Sequence, residues 1–302
     1  MRKAYKLLAV AMALVLCAGL QSCQNTEQIP HGYPILFRCA DITRAEATIT
    51  DLQNNGFDVY AYFTANGSEF GFTKSLSYDA DSKIWGYTDI EYWLPGATYY
   101  FKAVYPNGVG EIDNTTSAQS LTIENFDVTT QTDLLVAQTG AIDVDASLGS
   151  PTGGSIVYLQ FKHLLANVVI GIKAEISGVE VQSISLEGIS QTGNYNNGSW
   201  SAEQTTTLLK ENIGITIDSD NTEFTDVTNG GVLTIPQNIN GSQKLIIKTS
   251  FKNYDITIPD IPWESGKRYI YTLEIKQENI IFNEPSVVKW DSDSATGSVI
   301  IQ

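Results

Sequence analysis

The sequence predicts an all-β protein, because nearly every segment alternates between apolar and polar residues with a period of two. In one such segment, Phe57, Val59, Ala61 and Phe63 share one face of a predicted strand. The pattern recurs at Tyr99, Phe101, Ala103 and Tyr105, and at Tyr269, Tyr271, Leu273 and Ile275. Alternation of this kind is typical of strands that turn one face to a core and the other to water. No long segment has the helical period, so we expect no regular exchange of strands and helices.

Turn signals separate the predicted strands at short intervals. They are Asn66-Gly67, Pro106-Asn107-Gly108, Asn197-Gly198, Asn229-Gly230 and Asn240-Gly241. Asn-Gly supplies the positive φ angles that tight hairpins need.

A Gly/Ser/Pro-rich break at Ala146–Ser155 (ASLGSPTGGS) has few apolar side chains to bury. About seven candidate strands precede it and about eight follow, which is enough for a small sandwich on each side. The sequence therefore predicts two tandem β-sandwich domains, spanning residues 45–150 and 151–302.

The N-terminus has the pattern of a secretory signal peptide. Arg2, Lys3 and Lys6 precede the uncharged apolar run Leu7–Leu20, which is too short to span a bilayer comfortably. The run ends in Leu-Gln-Ser-Cys, which looks like a bacterial lipobox and predicts removal of residues 1–22 and acylation of Cys23. The alternative is a plain secretory signal with an incidental cysteine.

The charge of the chain argues against nucleic acid and anionic membranes as partners, and its cysteine content argues against intrachain disulfides. The chain carries 18 Lys+Arg and 34 Asp+Glu, a formal charge of −16, and loss of the three basic leader residues brings it near −19. A surface so acidic repels nucleic acid and anionic membranes, so neither is expected as a partner. Cys17 leaves with the leader and Cys23 is the lipid site, so Cys39 has no intrachain disulfide partner.

No motif of a known catalytic centre is present, and we predict neither an enzyme nor a cofactor. His31 lies in the segment after the lipid site, and His163 stands in an apolar run where a structural role is expected.

Three acidic clusters could in principle bind Ca²⁺: Asp79/Asp81, Asp218/Asp220/Glu223 and Asp291/Asp293. We interpret them as exposed turns. Trp85, Tyr87, Tyr92 and Trp93 crowd one hairpin region; stacking on sugars is one role for them, but packing of the sandwich is the expected one.

Seven stretches, taken in order along nearly the whole chain, resemble the fimbrillin family, the lipoprotein-derived pilus subunits (type V pilins) of Bacteroidia. They are the lipobox at Cys23, ITRAEA at Ile42, WLPGATYYFKAVYP at Trp93, TDLLVAQ at Thr132, FKHLLANVVIGI at Phe161, ISLEGISQTGNYNNGSW at Ile184 and WESGKRYIYTLEI at Trp263. The resemblance implies two transthyretin-like sandwiches and export as a lipoprotein to the outer membrane and cell surface. It also implies a structural subunit of fimbriae, with other fimbrial subunits as partners, that serves adhesion and biofilm formation.

The resemblance further implies assembly by proteolysis and strand exchange. Polymerising members are cut after an arginine near the start of the first domain, which maps onto Arg44 and Ala45 and makes residues 23–44 a propeptide with a removable first strand. In that strand Ile35, Phe37 and Cys39 would face the core. The alternative is that Arg44 is an ordinary solvated loop residue.

The donor strand implied by the family would come from the C-terminal segment, where Val299 and Ile301 alternate with Ile300. An equally consistent role for this segment is the last strand of its own domain. The alternative function is a lipid-anchored outer-surface adhesin, or a pilus tip or anchor accessory protein, that binds a glycan or protein receptor on a host or bacterial surface.

Overall fold

A computed structural model describes residues 32–39, 46–151, 153–203, 205–277 and 279–290. Over these residues almost all of the regular secondary structure is β-strand, so the all-β prediction is confirmed. The strands of the first half are β1 Leu36–Cys39, β2 Phe57–Ala65, β3 Ser68–Asp79, β4 Ile84–Gly86, β5 Thr98–Tyr105, β6 Glu111–Asp113, β7 Ser120–Asp127, β8 Leu135–Gln138 and β9 Ile142–Asp143. Those of the second half are β10 Ile156–Leu159, β11 Lys162–His163, β12 Ala166–Ala174, β13 Val179–Ser190, β14 Thr192–Asn196, β15 Ser199–Ala202, β16 Thr205–Lys210, β17 Ile215–Ile217, β18 Thr225–Asp226, β19 Val232–Thr234, β20 Lys244–Thr249, β21 Asn253–Thr257, β22 Lys267–Ile275, β23 Ile280–Phe282 and β24 Ser286–Lys289.

In the described part of the chain these strands form four sheets in a sandwich-like arrangement. The largest has the order β10-β1-β4-β3-β2-β5-β8-β11, with β9 also on β5. The second runs β18-β12-β22-β23, with β19 on β12 and β24 on β22. The third runs β16-β13-β20-β21, with β17 on β13, and the fourth runs β15-β14-β7-β6. Most pairings are antiparallel, but β1 pairs with β10 and β12 with β22 in parallel.

One α-helix departs from the sequence prediction. No long segment of the sequence has the helical period, yet α1 spans Glu46–Asn55. Its Leu52 is fully buried in the hydrophobic core that also contains Phe37 and Phe161. The helix ends at Gly56, which has a φ of 72° and whose amide donates to the Leu52 carbonyl at 2.8 Å. A glycine with positive φ after the last turn is a common helix stop. A short 3₁₀ turn covers Val128–Thr130.

Within the described ranges, two hydrophobic cores hold the sheets together. The first gathers buried residues between Ile35 and Phe161, and the second gathers buried residues between Val104 and Trp290. The cores interleave along the chain: Phe161 lies in the first, whereas Leu121 lies in the second. From Tyr33 onward the chain groups as one compact unit. The division into two domains near residue 150 stays a prediction.

Candidate functional site: the first strand and its groove

The first strand lies inside the largest sheet and is paired on both sides. Its Phe37 stands opposite Val157 of β10 in parallel register and opposite Trp85 of β4 in antiparallel register. Upstream, the Ile35 amide donates to the Glu91 carbonyl at 2.9 Å. A strand held from both sides satisfies its backbone donors and acceptors without water.

The side chains of this strand alternate as the sequence predicts. Ile35 and Phe37 are each 0% exposed, and Cys39 is half-buried at the end of the strand. The Phe37 ring meets the ring of Phe101 edge-on, with centroids 5.4 Å apart, and lies 6.0 Å from Tyr87. Fully burying one such apolar side chain stabilises the fold by about 1.5–3 kcal/mol. The first strand is thus an integral part of the first core.

The far face of the strand carries Arg38, which stands opposite Tyr158 of β10 and is half-buried. Its Nε is buried and has no hydrogen-bond partner among the described residues. Burial raises the pKa of the neighbouring Cys39 thiol to about 12. Because the thiolate is the reactive form of cysteine, Cys39 is held as an unreactive thiol while the strand is in place.

The aromatic hairpin region, residues 85–93, lies beside the first strand on its β4 side. Trp85 and Trp93 are buried, which confirms the packing role that the sequence predicts for them. Trp93 donates from its indole nitrogen to the Ser155 carbonyl at 3.2 Å and meets the ring of Tyr99 edge-on. The Tyr87 hydroxyl donates to the Ile35 carbonyl at 2.9 Å, and burial raises the pKa of Tyr87 to about 12. This phenol therefore stays protonated and keeps its hydrogen bond to the first strand.

The other residues that the sequence singles out lie outside the described part of the chain. They are the lipidation site Cys23, the processing pair Arg44 and Ala45, and the donor-strand residues Val299, Ile300 and Ile301. Of the segment around the processing pair, the description covers β1, which ends at Cys39, and α1, which begins at Glu46. The structure therefore describes the strand that the predicted cut would release, but not the cut itself.

A second concave feature is an open cleft of about 910 Å³ beside α1. Its lining includes Asp51, Tyr105, Asp133 and Trp290. Partial burial and the negative charge of Asp133 both raise the pKa of Asp51. Sequence reasoning did not single out this cleft, because its walls come from segments far apart in the chain.

Two residues that line the cleft, Asp133 and Trp290, also hold the buried His163. His163 Nδ1 lies 2.6 Å from Asp133 Oδ2, and its ring stacks on Trp290 with centroids 3.7 Å apart. The predicted structural role of His163 is confirmed by this packing. Trp290 is itself buried, so its ring packs the residue that follows β24 against β11 and presents little free face to a ligand.

Two of the acidic residues within the described part of the chain accept hydrogen bonds: Asp79 caps its own turn, and Asp218 bonds to a loop distant in sequence. Asp79 accepts from the Asp81 amide at 3.1 Å and from the Ser82 hydroxyl at 2.6 Å, and these bonds lower its pKa. Asp218 accepts from the Gly178 amide at 3.0 Å. Over the described ranges, no three His, Cys, Asp or Glu side chains gather as a metal site would require. The acidic pair Asp291 and Asp293 lies outside those ranges.

No described helix has the length and apolar character to cross a bilayer.

Comparison with known proteins agrees with this architecture. The chain is similar to a solved fimbrial protein from Bacteroides vulgatus, at 18% identity and a TM-score of 0.59, covering 85% of this chain and 99% of that one. It is similar to a candidate cell adhesion protein from Bacteroides uniformis, at 16% identity and a TM-score of 0.54, covering 88% and 100%. A candidate cell adhesion protein from Bacteroides ovatus gives 14% identity and a TM-score of 0.55, covering 85% and 97%.

These likenesses show a shared fold. No curated protein sequence matches the chain. The family model described as fimbrillin-like matches residues 43–290, which is most of the chain and nearly all of its described strands. The chain therefore belongs to the fimbrillin-like family.

Proposed function

We propose that this protein is a structural subunit of cell-surface fimbriae that is built by strand exchange after proteolysis. Membership of the fimbrillin-like family supports a fimbrial or adhesive role at the cell surface, and a structural rather than enzymatic one. In the proposed route, the chain is exported as a lipoprotein acylated on Cys23. A protease then cuts between Arg44 and Ala45, and the first strand leaves with the lipid.

The observation that carries the proposal is the position of the first strand. Its two fully buried side chains, Ile35 and Phe37, complete the first core, and its backbone is paired on both sides. Release of this strand leaves a groove between Trp85 of β4 and Val157 of β10, with unpaired backbone on both walls. Exposed apolar side chains and unpaired strand backbone favour the addition of another strand.

The C-terminal segment of a neighbouring subunit has the spacing that the groove requires. Val299 and Ile301 are two residues apart, as are Ile35 and Phe37, so both pairs project to one side of a strand. Each backbone hydrogen bond contributes about 1 kcal/mol net, and each buried apolar side chain contributes about 1.5–3 kcal/mol. A strand with several of these contacts would hold two subunits together for long periods.

The test is the N-terminus and intact mass of the protein on the surface of the producing cell. We expect a chain that begins at Ala45, lacks lipid and thiol, and runs as high-molecular-weight material that survives mild denaturant. Replacement Arg44→Ala should leave the acylated chain monomeric. The matched control Arg38→Ala should be processed normally, because Arg38 lies within the paired strand.

A second variant separates processing from assembly. With Val299 and Ile301 both changed to Asp, we expect normal cutting at Arg44 but no polymer. A wild-type chain that keeps acylated Cys23 and stays monomeric would overturn the proposal. The anchored adhesin would then be the better account.

A further inference from the structure

Among the described strands, none pairs with the outer edge of β3 over most of its length. β2 pairs with β3 from Phe57 opposite Leu76 to Ala65 opposite Ser68. On the other side, β4 is the one described strand that pairs with β3, and it covers only Ser77–Asp79. The stretch Ser68–Lys74, here called the free edge, therefore has no strand partner on its outer side within the described residues.

Hairpin geometry defines which backbone groups point outward. Asn66 and Gly67 form a two-residue turn with φ angles of 51° and 74°, so the flanking pair Ala65 and Ser68 is hydrogen-bonded. Because bonded and non-bonded pairs alternate in an antiparallel ladder, the even-numbered residues of the free edge bond to β2. The odd-numbered residues Glu69, Gly71 and Thr73 direct their N–H and C=O groups outward, and all three are exposed.

The free edge has neither the proline nor the β-bulge that often prevents strand pairing, and its two charges are opposite in sign. Sheet edges are commonly blocked by proline, by a β-bulge, or by charges that point toward the incoming strand. No proline occurs between 68 and 74, and the β2–β3 register has no shift. The single lysine, Lys74, is half-buried, and its ammonium group lies 2.9 Å from Glu91. Glu69 and Lys74 cancel in charge, so the free edge is locally neutral on a strongly acidic chain.

A row of stacked aromatic rings crosses the sheet and ends at the free edge. The rings of Tyr99, Phe63 and Phe70 stack across β5, β2 and β3, with centroid distances of 4.5 Å and 5.3 Å. Phe70, the outermost ring, is 47% exposed. Phe72 lies beside Phe63 with centroids 6.4 Å apart and is half-buried. One apolar face of the edge is therefore available to a further strand.

We propose that the free edges of two copies of this chain pair antiparallel about a two-fold axis at Gly71, joining their largest sheets. In this register the outward residues pair with one another, Gly71 with Gly71 and Glu69 with Thr73 of the second copy. The pair Phe70 and Phe72 then meets Phe72 and Phe70, as aromatic cross-strand neighbours do in stable sheets. The edge is complementary to itself in backbone, side chains and charge, which is why a second copy is its occupant.

This lateral contact goes beyond the proposed function, since it uses neither the first-strand groove nor the C-terminal segment. It is tested on the unprocessed chain Gln24–Gln302, where the first strand stays in place and strand exchange does not occur. Sedimentation equilibrium over a dilution series should show a reversible dimer. Amide hydrogen exchange at Glu69, Gly71 and Thr73 should slow as concentration rises, whereas Phe70 and Phe72, already bonded to β2, should be protected at every concentration.

Two variants probe the edge without removing bonds to β2. Thr73→Pro deletes an outward N–H, and Phe70→Lys places a charge on the exposed ring position; we expect each to raise the dimer dissociation constant at least tenfold. The controls are Thr73→Ala and Phe251→Lys, the latter at an exposed phenylalanine outside the edge. Circular dichroism checks that each variant is folded. A monomer at all concentrations, or a dimer unchanged by Phe70→Lys, would overturn the pairing.

Discussion

At the scale of single residues, Phe37 links the sequence pattern to the proposed function. It is fully buried, meets the ring of Phe101 edge-on and lies in the strand that the proposed cut releases. Its neighbour Arg38 lies on the opposite face, because successive side chains alternate along a strand. Arg38 is half-buried there. Alternation predicted the core-facing position of Phe37, since it depends only on the local partition of side chains between core and surface.

Replacement Phe37→Ala should lower the free energy of unfolding of the unprocessed chain by about 3–5 kcal/mol, because the side chain leaves a cavity in a packed core. Urea unfolding followed by fluorescence measures the change. The control Phe251→Ala removes a ring that is 59% exposed and should change stability by no more than about 0.5 kcal/mol. Equal effects of the two variants would show that the first strand contributes little to the core.

At the scale of elements, the hairpins were readable from sequence and the helix was not. Asn66-Gly67 has the positive φ angles that its sequence predicts. The helix α1 contains Thr48, Ile49 and Thr50, and a β-branched run favours a strand locally. The structure adds what the local pattern lacks, namely the burial of Leu52 in the first core. Tertiary packing thus overrides local propensity here.

The turn before β3 gives a sharp test with two matched glycines. Neither Gly67 nor Gly86 has a neighbour within 4 Å of an added Cβ, but Gly67 has a φ of 74°. Replacement Gly67→Ala should therefore cost about 1 kcal/mol through left-handed backbone strain. Replacement Gly86→Ala should be neutral or stabilise by up to about 1 kcal/mol by restricting the unfolded chain. Thermal unfolding compares the two; a loss of the same size at Gly86 would argue against backbone strain as the cause.

At the scale of the whole molecule, the cores interleave in a way that composition did not predict. The break at Ala146–Ser155 predicted a boundary near residue 150, and this boundary stays a prediction. Across it, β10 pairs with β1 and β11 with β8, while β7 pairs with β14. Strands on each side of the break thus complete sheets begun on the other.

These pairings predict how fragments behave. A fragment of residues 33–150 should show no cooperative unfolding by circular dichroism, because it lacks the buried Val157, Leu159 and Phe161 of the first core. A fragment of residues 33–163 restores them and should recover a cooperative transition, at lower stability than the full chain. Cooperative unfolding of the shorter fragment would show that these contacts are dispensable, and would favour a domain boundary at residue 150.

The sequence by itself determined the all-β class, the turns and the buried face of each main strand, including Ile35, Phe37 and the alternate residues of β22. These follow from local rules, because side-chain alternation and glycine conformation are read within a few residues. Only the tertiary structure decided that β1 lies between β4 and β10, that α1 is a helix, and that β3 keeps a free edge. The physical reason is that strands pair through backbone hydrogen bonds, which every residue type except proline can donate and accept. The choice of partner therefore depends on packing between segments that are distant in the chain.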